Sequence, residues 1–351
     1  MKNRITNWVN INFNKLISKL KSFFGKTQGF DPSCGHPAYA EIKNRILNAN
    51  SRALNNAFAL ALAVIKKEQW DSKNLLIVSL AEDKDLQTRI LRFHKANSKD
   101  WFANLLLGIH LSDLSYRERE GNYLFEMSDS SVQKYESLLE DGGHYLREAY
   151  RLNPECAVTC TWLISFYSSS GENFDVIKEI YQQGIQAEPQ NMFIREAYYE
   201  ALLPKWSGFD WEVSEQYLNA QLQDKTLALA YKMKLDYVVE YGINFFESNS
   251  EESDRWDSSE EVKEICLNVA EDILKTKNCK EKWFYISTCN RLLFVAYYAQ
   301  FDPIPQQIID IALMLKPSDY REVQWSEYDH TFEEIDEIVK DLQKGIPTEL
   351  T

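Results

Sequence analysis

The amino-acid sequence predicts an all-α protein, an array of antiparallel helix pairs of the α-solenoid type. Three short segments indicate this architecture, because each contains a bulky apolar residue, a small residue three positions later and a proline five positions after that. The segments are 146–154, 181–189 and 309–317, and their small residues are Ala149, Gly184 and Ala312. A small residue lets a neighbouring helix approach closely, and proline cannot continue a helix but fits the first turn of the next one. We therefore expect the three small residues to lie at close contacts between helices.

The spacing of the first two segments sets the length of the repeated unit. Their prolines, Pro154 and Pro189, are 35 residues apart in the sequence. Between them, residues 156–167 are apolar at helical spacing, residues 168–171 break the pattern, and residues 174–185 resume it. A helix, a turn and a second helix in ~34 residues is the period of tetratricopeptide repeats, and these segments resemble such repeats.

A second resemblance is carried by the run 201–208, which reads Ala-Leu-Leu-Pro-Lys-Trp-Ser-Gly and is followed by Trp211. This Pro-x-Trp-x-Gly signature is similar to that of a bacterial family of unknown function built on the tetratricopeptide fold. Residues 96–111 fit the pattern of the same family, and the resemblance covers residues 71–223. It implies a helical-repeat fold and brings no established activity with it.

The remaining sequence predicts further helix pairs, a linker and an acidic interruption. The predicted helices are 38–47, 52–67, 75–81, 85–96, 101–116, 132–152, 211–222, 226–246, 261–275, 282–300 and 305–315, with a last helix capped by Thr331. A linker at 31–37 precedes the repeat body, which we place at 38–246. Segment 247–261 contains seven acidic residues and one arginine, which is typical of an exposed loop or a hinge. Residues 262–351 then form the C-terminal repeats and their cap.

Residues 1–30 differ from the rest because they contain six basic residues and no acidic one. Plotted as a helix, their apolar side chains fall on one arc, with Lys15 and Lys19 opposite. The arc comprises Ile5, Val9, Phe13, Leu16, Ile17, Leu20, Phe23 and Phe24. Residues 1–26 therefore suit an anionic membrane surface, which would make the protein peripheral to the inner membrane. The alternatives are a first helix that docks on the acidic repeat body, or a segment that is poorly ordered when alone.

Composition limits the classes of partner and the cellular compartment. The 351 residues carry a net charge of −14, which disfavours the phosphate backbone of nucleic acids and would attract a basic protein. The six cysteines form no Cys-x-x-Cys pair, and neither a secretory signal nor an apolar run of 18 residues occurs. We therefore expect reduced cysteines and a cytoplasmic protein.

No arrangement of catalytic residues emerges from the sequence. It contains no phosphate-binding glycine loop, no Gly-x-Ser-x-Gly and no His-Glu-x-x-His, and its five histidines are not paired at helical spacing. We expect His94 and His110 to be structural, and we predict neither enzymatic activity nor a metal or other cofactor.

The leading functional hypothesis is a non-catalytic helical-repeat protein that mediates protein–protein interaction. The predicted partner-binding residues are Trp206, Trp211 and Trp256, because buried aromatic side chains anchor protein complexes while charge steers their encounter. Structurally, Trp206 and Trp211 could instead fill the junction between two helix pairs. An acidic immunity or antitoxin-type inhibitor of a bacterial toxin is the narrower alternative. A peripheral membrane scaffold, attached through residues 1–26, is the third.

Overall fold

The structure is a computed structural model, and it describes residues 33, 36–119, 127–224, 227, 230–248, 259–316, 319 and 332–346. These residues form 16 helices and no strand, and 79% of them are helical. The predicted all-α class is therefore confirmed. Across the described ranges, none of the helices combines the length and apolar character that crossing a bilayer would require.

The chain divides into two compact units. The described residues within 35–233 and 279–283 belong to the first unit, and those within 234–278 and 284–351 belong to the second. The helices of the first unit are α1 (Pro37–Asn48), α2 (Leu54–Ile65), α3 (Trp70–Glu82), α4 (Gln87–Ala96), α5 (Trp101–Arg119), α6 (Asp129–Leu152), α7 (Ala157–Ser170), α8 (Phe174–Ala187), α9 (Met192–Leu202), α10 (Pro204–Ser207) and α11 (Trp211–Gln223). They are followed by α12 (Tyr231–Ser248), α13 (Glu260–Thr276), α14 (Lys282–Tyr298), α15 (Gln306–Met314) and α16 (Phe332–Lys344). Helices α12 and α14 begin in the first unit and continue in the second.

Within the first unit, helices that follow one another pack as pairs: α1 on α2, α3 on α4, α5 on α6, and α7 on α8. The first helix of each pair also packs on the first helix of the next, so that α1, α3, α5, α7 and α9 form a continuous series of contacts. Helix α5 lies deepest in this series, because residues 102–110 are all buried. The core of the unit therefore follows the first helices of the pairs.

Glycines allow the closest of these contacts. A Cβ atom on Gly143 of α6 would lie 2.2 Å from the ring of Phe166 on α7. A Cβ atom on Gly184 of α8 would lie 3.0 Å from Cys160 and 3.0 Å from Ile194. The prediction of a close helix contact at Gly184 is thus confirmed, and Ala149 is fully buried on α6, as expected.

Helix α4 lies across the turn that joins α1 to α2. The guanidinium group of Arg89 donates hydrogen bonds to the carbonyl oxygens of Leu47 (2.7 Å) and Ala49 (2.8 Å) at the end of α1. Farther along α4, the ring of Phe93 stacks on Phe58 of α2 at 4.2 Å between centroids. These contacts satisfy the last carbonyl groups of α1 and hold α2 and α4 against each other.

The start of α3 contacts two segments that are distant in the sequence. The buried carboxylate of Asp71 accepts a hydrogen bond of 2.8 Å from the main-chain N–H of Trp283. The ring of Trp70 packs edge-on against Phe193 at the start of α9, with 5.5 Å between centroids. Residues 279–283 are therefore tied to the first unit, and the starts of α3 and α9 meet.

In the second unit, α15 packs against both α13 and α16. Ala312 on α15 is fully buried, and its carbonyl oxygen accepts a hydrogen bond of 2.8 Å from Gln343 of α16. The predicted position of Ala312 in a helix contact agrees with this burial. Pro317 and the predicted cap Thr331 lie outside the described residues.

Candidate functional site

The predicted partner-binding residues Trp206 and Trp211 lie on either side of one turn. Trp206 is in the single helical turn α10, which starts at Pro204 and ends at Gly208, where φ is 68°. Trp211 is the first residue of α11, and both tryptophans are partly buried. The Lys205 Nζ atom lies 5.8 Å from the centroid of the Trp206 ring. Trp256 and the residues proposed for membrane contact, all within 1–26, lie outside the described residues.

An aromatic cluster next to this turn joins α8, α9 and α11. Tyr181 stacks on Tyr198 at 4.0 Å between centroids, and the hydroxyl group of Tyr217 donates to that of Tyr181 at 3.0 Å. Phe209, in the turn itself, packs edge-on against Phe174 at the start of α8 at 5.0 Å. Burial raises the pKa of Tyr198 to about 12 and also raises that of Tyr217. The hydroxyl groups of Tyr198 and Tyr217 therefore stay neutral near pH 7, and the cluster holds the three helices together.

Acidic residues surround the turn in the sequence and on the surface. Asp210, Glu212 and Glu215 are exposed at the start of α11, and Glu172 and Asp175 are exposed at the start of α8. The contact between Phe174 and Phe209 brings these two helix starts together. Residues 100–223 contain eight basic and twenty acidic residues, a net charge of −12. We call the exposed acids at the starts of α8 and α11, with Trp206 and Trp211, the acidic face.

A partly buried group of titratable side chains lies between the end of α3 and α5. His110 is buried, and its Nδ1 atom is 2.9 Å from the Ala81 carbonyl oxygen, while Asp113 pairs with Arg117 at 2.8 Å. Burial lowers the pKa of His110, so its imidazole is neutral. Burial, together with the nearby Asp113, raises the pKa of Glu82 to about 8. His110 therefore connects α5 to the end of α3, as predicted for a structural histidine, and His94 of α4 likewise contacts Asn104 of α5 at 3.2 Å.

Cysteine and metal chemistry find little support in the described residues. Cys156 and Cys160 are buried and free, and burial raises the pKa of Cys160 to about 12, which keeps this thiol protonated. Within the same residues, no group of three or more His, Cys, Asp or Glu side chains is placed to hold a metal ion.

The exposed side of α2 and α4 has the opposite character to the acidic face. Segments 52–67 and 86–99, which contain these helices, together hold seven basic residues and no acidic one. Leu60 and Val64 on α2 are 42% and 37% exposed, and Leu91 on α4 is 47% exposed. The exposed cations of the same two segments are Arg52, Lys66, Lys67, Arg92, Lys95 and Lys99. We call these three aliphatic and six basic side chains the α2–α4 face.

The cations of the α2–α4 face are not used to hold the protein together. None of the six forms an ion pair anywhere in the described part of the chain. Neighbouring helices differ: Lys43 of α1 pairs with Asp83 and Asp85 at 2.8 Å each, and Lys134 of α6 pairs with Glu118 at 2.5 Å. Sequence reasoning missed this face, although the lack of acidic residues in two segments that are adjacent in the fold was visible in the sequence.

No known protein family, curated protein or solved structure matches this chain. The resemblance to tetratricopeptide repeats and to the bacterial family with the Pro-x-Trp-x-Gly signature therefore stays a prediction.

Proposed function

We propose that this protein is a non-catalytic helical-repeat protein, an α-solenoid of antiparallel helix pairs that mediates protein–protein interaction. The series of contacts among α1, α3, α5, α7 and α9 supports the repeat arrangement, since stacked repeats bring equivalent helices side by side. The close contacts at Gly143 and Gly184 fit the same interpretation, because Gly143 contacts the first helix of the next pair and Gly184 contacts both its own partner helix α7 and the following helix α9.

The partner-binding surface should lie on the outside of the array. Helix α5 is buried along 102–110, and eight of the eleven residues of α9 are buried. The contact between Trp70 and Phe193 joins the starts of α3 and α9 directly. The first helices of the pairs therefore enclose a core and leave the second helices and the turns for a partner.

The acidic face is the observation that carries the proposal. Two partly buried tryptophans lie at one turn, next to the exposed carboxylates of Asp210, Glu212 and Glu215. Carboxylates would attract a basic protein, and tryptophans that become fully buried on binding would stabilise the complex. The proposed partner is therefore a basic protein. A toxin neutralised by an acidic inhibitor is one form that such a partner could take.

A capture experiment with the full chain as bait tests this proposal. Proteins are captured from the source cell with the wild-type chain, with Trp206→Ala/Trp211→Ala and with Glu212→Lys/Glu215→Lys. Trp162→Ala serves as the matched control, because Trp162 is also partly buried but lies on α7. Far-UV circular dichroism confirms that each variant is folded before use.

We expect a basic protein that binds the wild type and Trp162→Ala and is lost from both acidic-face variants. Its affinity, measured with the purified proteins, should fall as the salt concentration rises. Equal capture by all variants would show that a different surface binds, and failure to capture any basic protein would contradict the proposal.

A further inference from the structure

The α2–α4 face exposes aliphatic side chains among cations on a protein whose net charge is strongly negative. The exposed cations make no ion pair in the described residues, so their charge is available to a ligand. From this arrangement we propose that the α2–α4 face binds an anionic membrane surface. Its lysines and arginines would contact lipid phosphates, while Leu60 and Val64 would enter the headgroup region.

Helix α2 has the composition that an interfacial position requires. Residues 53–65 carry no charged side chain, and the exposed side of the helix presents Ala59, Leu60, Ala63 and Val64. These side chains can lie among lipid headgroups without burying a charge. Arg52 precedes this stretch, and Lys66 and Lys67 follow it, so cations flank it at both ends. Helix α2 therefore combines an apolar side with flanking cations, as interfacial helices do.

The type of cation favours a lipid surface over an acidic polypeptide. Four of the six exposed cations are lysines, namely Lys66, Lys67, Lys95 and Lys99. Lysine acts as a flexible point charge and suits a diffuse anionic surface, whereas planar recognition of single carboxylates favours arginine.

Residues 1–30 give the chain a second basic segment with no acidic residue. Stable attachment to a membrane generally needs two signals, because one weak element binds reversibly. The two segments could therefore act together, and a test must separate the contribution of the α2–α4 face from that of residues 1–30. Substitutions on α2 within the full chain achieve this separation.

Vesicle co-sedimentation with the full chain tests the inference. The vesicles contain phosphatidylglycerol mixed with phosphatidylcholine, or phosphatidylcholine alone. The charge variant is Lys66→Glu/Lys67→Glu. Its matched control is Lys178→Glu/Lys280→Glu, which makes the same change at two exposed lysines that form no ion pair in the described ranges.

We expect the wild type to bind the anionic vesicles and not the neutral ones. The charge variant should lower the partition coefficient at least about tenfold, because each cation near an anionic surface contributes severalfold. The control should change it less than about twofold. Binding equal to wild type in the charge variant would assign membrane attachment to residues 1–30 and overturn the inference, as would a wild type that does not bind.

A second pair of variants distinguishes a membrane from a soluble polyanion. Leu60→Gln/Val64→Gln should lower binding to anionic vesicles about three- to tenfold, since their aliphatic side chains would no longer leave water. Leu313→Gln, at a residue 60% exposed in the second unit, is the control and should have no effect. If the chain bound polyglutamate more tightly than vesicles, and Leu60→Gln/Val64→Gln did not change that binding, the ligand of the α2–α4 face would be an acidic polypeptide and not a membrane.

Discussion

The α2–α4 region and the region that follows it differ in charge although both belong to the first unit. Residues 52–99 contain nine basic and five acidic residues, a net charge of +4, whereas residues 100–223 carry −12. The net charge of −14 for the whole chain does not reveal this difference in charge between the two regions. The difference teaches that a strongly negative net charge is compatible with a region of opposite charge in the same unit.

The same two regions also differ in how their apolar residues are used. On α5, residues 102–110 are buried whatever side of the helix they occupy. On α2, only one side is buried, and Leu60 and Val64 remain exposed on another. The fold therefore depends on the aliphatic side chains of α5 and leaves part of the apolar surface of α2 exposed. Four predictions test this comparison.

Leu106→Ala should have the largest effect. Leu106 on α5 is fully buried, so its removal should leave a cavity and lower the free energy of unfolding by about 2–5 kcal/mol. Urea denaturation monitored by circular dichroism measures the change. Leu91→Ala, at a side chain 47% exposed on α4, is the control and should cost much less. A cost below about 1 kcal/mol for Leu106→Ala would mean that the interior of α5 is not a close-packed core.

Gly143→Ala tests the packing of α6 on α7. Alanine normally stabilises a helix relative to glycine, but here the Cβ atom would lie 2.2 Å from Phe166. We therefore expect a loss of about 1–3 kcal/mol from overpacking, measured by the same denaturation. The double variant Gly143→Ala/Phe166→Leu should recover part of the lost stability, because leucine lacks the aromatic ring that the added Cβ atom would contact. A stabilising Gly143→Ala would show that α6 and α7 are farther apart.

Glu82→Gln tests the partly buried titratable group between α3 and α5. In the unfolded chain Glu82 loses its proton near pH 4.5, whereas burial and the nearby Asp113 raise its pKa to about 8 in the folded protein. Between these values only the folded state keeps the proton. The free energy of unfolding should therefore fall as pH rises, by up to about 1.4 kcal/mol per pH unit.

Glutamine has no such proton to lose, so the variant should lack this part of the fall. The difference between the two pH profiles therefore reports the titration of Glu82 together with its coupling to Asp113. Parallel profiles from pH 5 to 8 would show that Glu82 is ionised and solvated in the folded state.

Much of the fold could be predicted from the sequence, because helical periodicity and breaking residues are local signals. For example, the small residue of the segment that ends at Pro189 is Gly184, and it was correctly predicted to lie at a close helix contact. The contact between Trp70 and Phe193 could not be predicted, since no local pattern connects residues so far apart. The orientation of α4 across the turn after α1 could not be predicted from the sequence either, because it depends on hydrogen bonds from Arg89 to main-chain carbonyl groups.

The two proposed interaction surfaces were predictable only in part. Trp206 and Trp211 stood out because aromatic residues next to Pro204 fall outside any apolar helical stripe, and the structure places both at one turn. The α2–α4 face was not predicted. The sequence pattern predicts that Leu60 and Val64 are apolar residues of a helix, but it does not show which side of the helix is exposed. The packing of α2 in the structure shows that both side chains are exposed.

Leu60→Gln/Val64→Gln should have the smallest effect on stability. Both side chains are already largely in contact with water, and glutamine is a good helix former, so we expect a change within about 0.5 kcal/mol in the free energy of unfolding. The same urea denaturation provides the measurement. A near-zero cost here, beside the large cost of Leu106→Ala, would establish that α2 carries apolar surface beyond what folding requires. A cost above about 1.5 kcal/mol would show instead that Leu60 and Val64 are packed in solution, and the α2–α4 face would lose the aliphatic side chains on which the inferred membrane contact depends.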